Sequence, residues 1–234
     1  MKAIITWALL AALVAGSAAA VEVALGLLSG EAYPAGGTAG YTHLTVFTSK
    51  LPAGYLGKGG VVGGKAVIYF TPAWGVEAAV ASYPYLPAKE VMLSDLREKP
   101  SATMTPITMG PVYKLAWRGC GVYAVAGLGY FPVRYTLTAG SWQDDTYAYK
   151  GVVKMNSPGA FGGVGVCYRL GLFEAEVSPR YAVAWNKGTY DYDYECKAYG
   201  YNHPVITTYG SKSVTKEFND SFVDLRAGVN FYLP

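Results

Sequence analysis

From Val223 to Leu233 the chain alternates without a break between two kinds of side chain. Val223, Leu225, Ala227, Val229, Phe231 and Leu233 take one parity; Asp224, Arg226, Gly228, Asn230 and Tyr232 take the other. Period two belongs to an extended strand, whose successive side chains point to opposite faces. A strand this long, apolar on one side and charged on the other, must separate two very different surroundings. That requirement constrains the fold more than any other feature of the chain.

The pattern recurs upstream. Phe173, Ala175, Val177, Pro179, Tyr181 and Val183 oppose Glu174, Glu176, Ser178 and Arg180. Val164, Val166, Tyr168 and Leu170 alternate with Gly163, Gly165, Cys167 and Arg169. Fainter versions set Ala66, Ile68 and Phe70 against Lys65, Val67 and Tyr69, and Trp74, Val76, Ala78 and Val80 against Glu77, Ala79 and Ala81. Ile107, Met109, Tyr113 and Leu115 oppose Thr108, Val112 and Lys114. Over residues 121–137, Tyr123, Val125, Phe131, Val133 and Tyr135 oppose Ala124, Ala126 and Arg134. Residues 22–28 supply a first strand. The total is about eight strands, near the 9–11 residues of a tilted membrane strand.

The connections alternate in length. Thr71-Pro72-Ala73, Trp117-Arg118-Gly119-Cys120 and Leu170-Gly171-Leu172 are short; residues 30–58, 85–104, 138–159 and 186–217 are long. Short periplasmic turns facing long external loops are the habit of membrane barrels, and that rule places both chain ends in the periplasm. Residues 88–99 of the second long loop read as a short helix ended by Pro100.

The start of the chain predicts the compartment. Lys2 gives a basic n-region, residues 4–15 an apolar run broken only by Thr6, and Ala18-Ala19-Ala20 a small-residue cleavage site. Residues 1–20 therefore read as a signal peptide for Sec-type export, and residues 21–234 as one barrel domain. The run is shorter than the roughly 20 residues of a spanning helix. Nothing after residue 20 reaches that length, although mean hydropathy is positive at +0.19. Strands that hide apolar side chains at alternate positions resolve that contradiction. The net charge of +3 is too small to argue for nucleic acid.

Three stretches resemble a known group. They are residues 65–77 (KAVIYFTPAWGVE), 121–130 (GVYAVAGLGY) and 161–170 (FGGVGVCYRL). Each is similar to the hairpins of the small OmpA/OmpW-like outer-membrane proteins. The resemblance implies an all-β fold, a single eight-stranded antiparallel up-and-down transmembrane β-barrel, in the outer membrane of a diderm (Gram-negative) bacterium. It implies contact with outer-membrane lipid and with the barrel-assembly machinery during insertion. Such proteins usually end in an aromatic residue that this machinery reads, whereas Phe231 and Tyr232 here precede Leu233-Pro234.

With the apolar parity toward lipid, the other parity lines the lumen. Lys65, Glu77, Lys114, Arg134, Arg169, Glu174, Glu176, Arg180, Asp224 and Arg226 fall there, with Glu22 a further acid. A barrel of about eight strands is filled by its own side chains. These charges are expected to pair, since unpaired buried charge is costly; the sharper alternative is a narrow gated path. Parity alone does not exclude a soluble periplasmic ligand-binding barrel, which would turn the same strands inside out.

Other candidates for chemistry are sparse. Cys120 and Cys167 are placed near the periplasmic end on one inward parity, so an oxidising periplasm would permit a disulfide, or they are two small buried residues. Cys196 is the odd cysteine. His43 and His203 fall in external loops without a recognisable serine and carboxylate partner, so no catalytic residue, cofactor or metal is assigned. Tyr190, Tyr192 and Tyr194 alternate with Asp191, Asp193 and Glu195, as in a strand prolonged beyond the membrane; a surface for adhesion or divalent cations is the sharper reading. The expected function is non-enzymatic, structural or surface-interacting, with the external loops carrying specificity for a ligand the sequence does not name. The alternative, which only the resemblance to the OmpW-like barrels implies, is a conduit for small hydrophobic molecules; a sideways opening would fall at Pro111, Pro132 or Pro179, where a strand lacks a ladder donor.

Overall fold

The computed structural model describes residues 21–35, 56–87, 91–93, 96–141, 147–198, 206–216 and 219–233. The strands are, in order, β1 (Glu22–Ala35), β2 (Leu56–Tyr69), β3 (Trp74–Pro87), β4 (Val91–Leu93), β5 (Leu96–Met104), β6 (Ile107–Trp117), β7 (Cys120–Ser141), β8 (Tyr147–Leu170), β9 (Phe173–Ala184), β10 (Gly188–Ala198), β11 (Ile206–Lys216) and β12 (Asp220–Tyr232).

Eight of them close a ring. β1 pairs with β2, β2 with β3, β3 with β6, β6 with β7, β7 with β8, β8 with β9 and β9 with β12, all antiparallel. β12 then returns to β1, in a ladder running from Ala24↔Tyr232 to Ala35↔Ser221. The alternating segment at the chain's end is thus the closing strand, and closure leaves no edge within the ring.

At one end the ring strands meet in the three short turns. Arg118 and Gly119 take positive φ (48° and 84°) to make the β6–β7 turn. At the other end the strands outrun the ring. β7 and β8 stay paired as far as Gly140↔Ala148, so much of the stretch read as a third loop is a tall hairpin. β10 pairs with β8 and β11 with β10; β5 pairs with β7 and β4 with β5. The expected helix at 88–99 is absent where the chain is described: Val91–Leu93 and Leu96–Met104 are strands, drawn into the ladder by β7. Tyr190–Glu195 does lie in a strand, β10. Together β11-β10-β8-β7-β5-β4 form one six-stranded antiparallel sheet above the ring.

Two environments stack along the barrel axis. In the ring the outward side chains are apolar: Leu27 is 77% exposed, and Val62, Leu128, Val166 and Leu170 are likewise exposed. The inward ones include buried Lys65, Glu77, Lys114, Glu174 and Arg180. A soluble barrel would reverse this, so the parity is that of a lipid-facing wall. Toward the tall hairpins the interior turns apolar, with Ala32, Val61, Ala102, Met104, Val133, Val153 and Met155 buried. There Arg134, Lys150, Lys154, Asp191 and Asp193 are exposed on the outside.

One strand faces opposite to expectation. On β7, Tyr123, Val125, Phe131 and Val133 point inward, and Ala124, Ala126, Leu128 and Arg134 point outward. β7 is apolar on both faces, so hydrophobicity cannot choose between them. Its ladder to β8 does: Tyr123 stands opposite Gly165 and Val125 opposite Gly163, both on the lumen side.

Candidate functional site: the charged lumen

The lumen side chains form a continuous stack. At the turn end Glu22 pairs with Arg169 (2.6 Å), each about one-third exposed, and the Arg169 guanidinium lies 3.8 Å from the centre of the Tyr232 ring. The last strand supplies the next layer. Tyr232 Oη accepts from Lys114 Nζ (2.9 Å) and donates to Glu174 Oε1 (3.1 Å). Lys114 also pairs with Glu174. Asn230 Nδ2 bridges Glu174 Oε1 (3.2 Å) and Glu176 Oε2 (2.9 Å).

The middle of the stack is held by one ammonium and one guanidinium. Lys65 Nζ donates to Glu176 (2.6 Å) and to Glu77 (3.3 Å). Arg180 grips the other side of Glu77 with both terminal nitrogens, one at 3.1 Å from Oε2. This two-point geometry suits a planar fork on a carboxylate. Above it Arg226 Nε reaches Asp224 Oδ1 (2.7 Å) and Nη2 reaches Oδ2 (2.9 Å). Tyr83 joins that pair, donating to Asp224 (2.8 Å) and accepting from Arg226. The stack ends under aromatic rings: Tyr83 meets Phe222 edge-on at 5.0 Å between centroids, and Phe222 meets Phe131 at 6.3 Å.

The stack balances. Lys65, Lys114, Arg180 and Arg226 are its buried cations, and Glu77, Glu174, Glu176 and Asp224 its buried carboxylates. Buried Asp220 stands apart, higher up, with Asn186. Matched charge in a low-dielectric interior offsets the desolvation that an isolated ion would suffer. Glycines on neighbouring strands make the room: a Cβ on Gly163 would lie 2.6 Å from Arg180 Cγ, and one on Gly165 2.5 Å from the Tyr123 ring.

Of the ten charged residues assigned to the lumen, eight are buried in this stack. Arg169 shares the inward parity but sits at the mouth. Arg134 is on the outer surface, because β7 faces the opposite way and its upper half stands beyond the ring. The partners Tyr83, Asn230 and Tyr232 and the capping Phe131 and Phe222 lie outside the set that charge alone picks out. Asn230 and Tyr232 share the parity of Asp224 and Arg226, and that signal could have found them. Phe131 was hidden by the ambiguity of β7.

The cysteines are not bridged: Cys120, Cys167 and Cys196 are free. Cys167 is level with Gly121, while Cys120 is level with Tyr168 and exposed. Adjacent positions on a strand face opposite ways, so the two thiols lie on opposite sides of the wall. His43 and His203 lie outside the described residues. Pro179 pairs with Leu225, Pro132 with Asn156 and Pro111 with Val76, so each proline strand is laddered on at least one side.

A closed antiparallel eight-stranded ring, apolar outside and charged inside, is an outer-membrane-type β-barrel. One solved structure supports the fold, and two others are similar to a lesser degree. A major outer membrane protein of Thermus thermophilus is similar over 92% of this chain and 100% of its own, with 13% identity and a TM-score of 0.52. The outer membrane protein OprG of Pseudomonas aeruginosa gives 16% identity, 93% and 98% coverage and a TM-score of 0.49. The outer membrane protease OmpT of Escherichia coli gives 8% identity, 91% and 96% coverage and a TM-score of 0.44. No protein-family model and no curated protein matches the sequence.

Proposed function

We propose that this chain is a non-enzymatic protein of the bacterial outer membrane that presents a surface and does not provide a passage. The observation that carries this reading is the filled lumen: paired charges occupy it from the Glu22–Arg169 mouth to Arg226 and Asp224, and aromatic rings close the top. A barrel of this size leaves little space once its side chains interlock. What remains available to a partner is the six-stranded sheet above the ring, and loops and their supports are where specificity resides on a shared fold.

Purified protein in detergent, run on gels boiled and unboiled, is expected to shift in mobility on heating, as a closed barrel does. In planar lipid bilayers the same preparation is expected to give no reproducible conductance steps. Steps of constant amplitude would overturn the closed-lumen reading in favour of a conduit. Recovery from cells as a soluble periplasmic protein without a heat shift would overturn the membrane assignment itself.

A further inference from the structure

Above the lipid, the outward face of the sheet sorts its charges by strand. β7 and β8 carry Arg134, Lys150 and Lys154; β10 carries Asp191, Asp193 and Glu195 on the same side of the wall. All are exposed except Glu195, which is half-buried. The β8–β10 ladder sets Glu195 opposite Lys150. One step beyond its Tyr192↔Val153 pair, the same register sets Asp191 opposite Lys154, with Asp193 diagonal to it. A basic stripe thus lies directly beside an acidic one. Lys197, at the upper end of β10, is the exception, and it pairs with Glu195 at 3.1 Å. The stripes stand side by side without closing on each other. Asp191 accepts from Ser213 Oγ (2.8 Å) and Glu195 from Tyr209 Oη (3.5 Å), both on the β11 side. Among the described residues, Arg134, Lys150, Lys154 and Asp193 make no ion pair. Both stripes therefore offer charge to a partner that presents the opposite order.

The membrane says which partner does so. Two copies inserted the same way are related by rotation about the membrane normal, which keeps every residue at its height and exchanges left for right. An isologous two-fold contact of this kind sets the same face against itself. With the axis between β8 and β10, the basic stripe of each copy meets the acidic stripe of the other. Charges sorted top from bottom would instead meet like with like. Strand tilt of about 35–45° offsets opposed residues of neighbouring strands by roughly 3 Å in height, within the reach of a lysine side chain. The wall below permits the approach. Its outward positions on β7 and β8 include Ala124, Ala126, Ala160 and Gly162, with Ala126 directly opposite Gly162. Small side chains let membrane-embedded surfaces come close, as they do between spanning helices.

We propose that this face is an interface with a second copy of the chain. The two barrels stand side by side in one membrane, with Lys150 and Lys154 of each against Asp191, Asp193 and Glu195 of the other. The inference names a partner for the upper sheet and rests on the membrane reading of the barrel. A barrel that shows the heat shift and yet does not self-associate would overturn only this inference.

The test is sedimentation equilibrium of the folded, full-length protein in a density-matched neutral detergent. Wild type is expected to show a monomer–dimer equilibrium. Two charge-reversed variants are compared with it: Lys150→Glu with Lys154→Glu, which makes the face acidic, and Asp191→Lys with Asp193→Lys, which makes it basic. Each alone should associate at least about tenfold more weakly, because like charges set against one another across an interface repel. An equimolar mixture of the two should recover the dimer, since the acidic face of one then meets the basic face of the other. All four residues are exposed, so the variants should retain the heat shift, which is checked first. Where a reversal prevents folding, Lys150→Gln with Lys154→Gln replaces it and should also weaken the dimer. A wild type that stays monomeric at every loading would overturn the proposal and leave the face to lipid or to another protein. A variant that dimerises as wild type does, or a mixture of the reversed pair that stays monomeric, would overturn it as well.

Discussion

Glu77 is where the lumen is most tightly coupled. It is 1% exposed and accepts from Lys65 and from two nitrogens of Arg180. Glu77→Gln keeps the shape and removes the charge, leaving two buried cations to share fewer carboxylates. Breaking a buried pair in this one-sided way costs about 3–5 kcal/mol. The urea midpoint of the folded barrel should drop accordingly. Lys58→Ala is the contrasting case. Its partner Glu31 sits across an ion pair whose side chains are 65% and 51% exposed, where pairing contributes little, and the midpoint should not move. An unchanged midpoint in Glu77→Gln would mean that the stack does not hold the barrel together.

At the scale of elements, the facing of β7 and the height of the hairpins matter most. Cys120 and Cys167 report on the facing of β7 against β8. In a Cys196→Ser background, a bulky maleimide should modify Cys120 in the folded barrel and reach Cys167 only after unfolding, because Cys167 is buried on the lumen side. Oxidation with copper phenanthroline should produce no intramolecular disulfide. A bridged product would show that the β7–β8 register is wrong. The β10–β11 hairpin tests the upper sheet. β10 and β11 pair with each other from Gly188↔Lys216 to Ala198↔Ile206, above the membrane ring. An epitope inserted between Ala198 and Ile206 should leave the heat shift intact and be recognised by antibody on whole cells. Loss of the heat shift would mean that this hairpin is needed to close the ring. The strand character of β10 was legible in the alternation of Tyr190–Glu195. Its continuity with β8 was not, because a register between distant segments is a property of the sheet and not of either segment.

The molecule as a whole is a stack of two cores with opposite sense. Within lipid, water-like charges are inside and hydrocarbon is outside; above it, the inside is aliphatic and the outside polar. The alternation is clean in β9 and β12, which carry charge on the lumen parity, and blurred in β7, whose lumen parity within the ring is Tyr123 and Val125. The inversion explains how a chain with positive mean hydropathy crosses a membrane with strands alone among its described residues. Export is the remaining prediction at this scale. If residues 1–20 are removed as their pattern predicts, Edman sequencing of the protein from outer membranes should begin at Val21. A sequence beginning at Met1 would show that the leader is retained.

Sequence alone determined the strand class, the approximate number of ring strands and the identity of eight lumen charges, because each rests on local periodicity. A strand with charge on one parity has only one tolerable orientation in lipid, and Lys65, Glu77 and Asp224 declare it without reference to neighbours. Tertiary structure decided what periodicity leaves degenerate. It turned Phe131 inward and Arg134 outward, separated Cys120 from Cys167 across the wall, and chose which acid meets which base. The physical reason is the same in each case: these outcomes depend on which residue of another strand lies opposite, and that is set by closure of the ring.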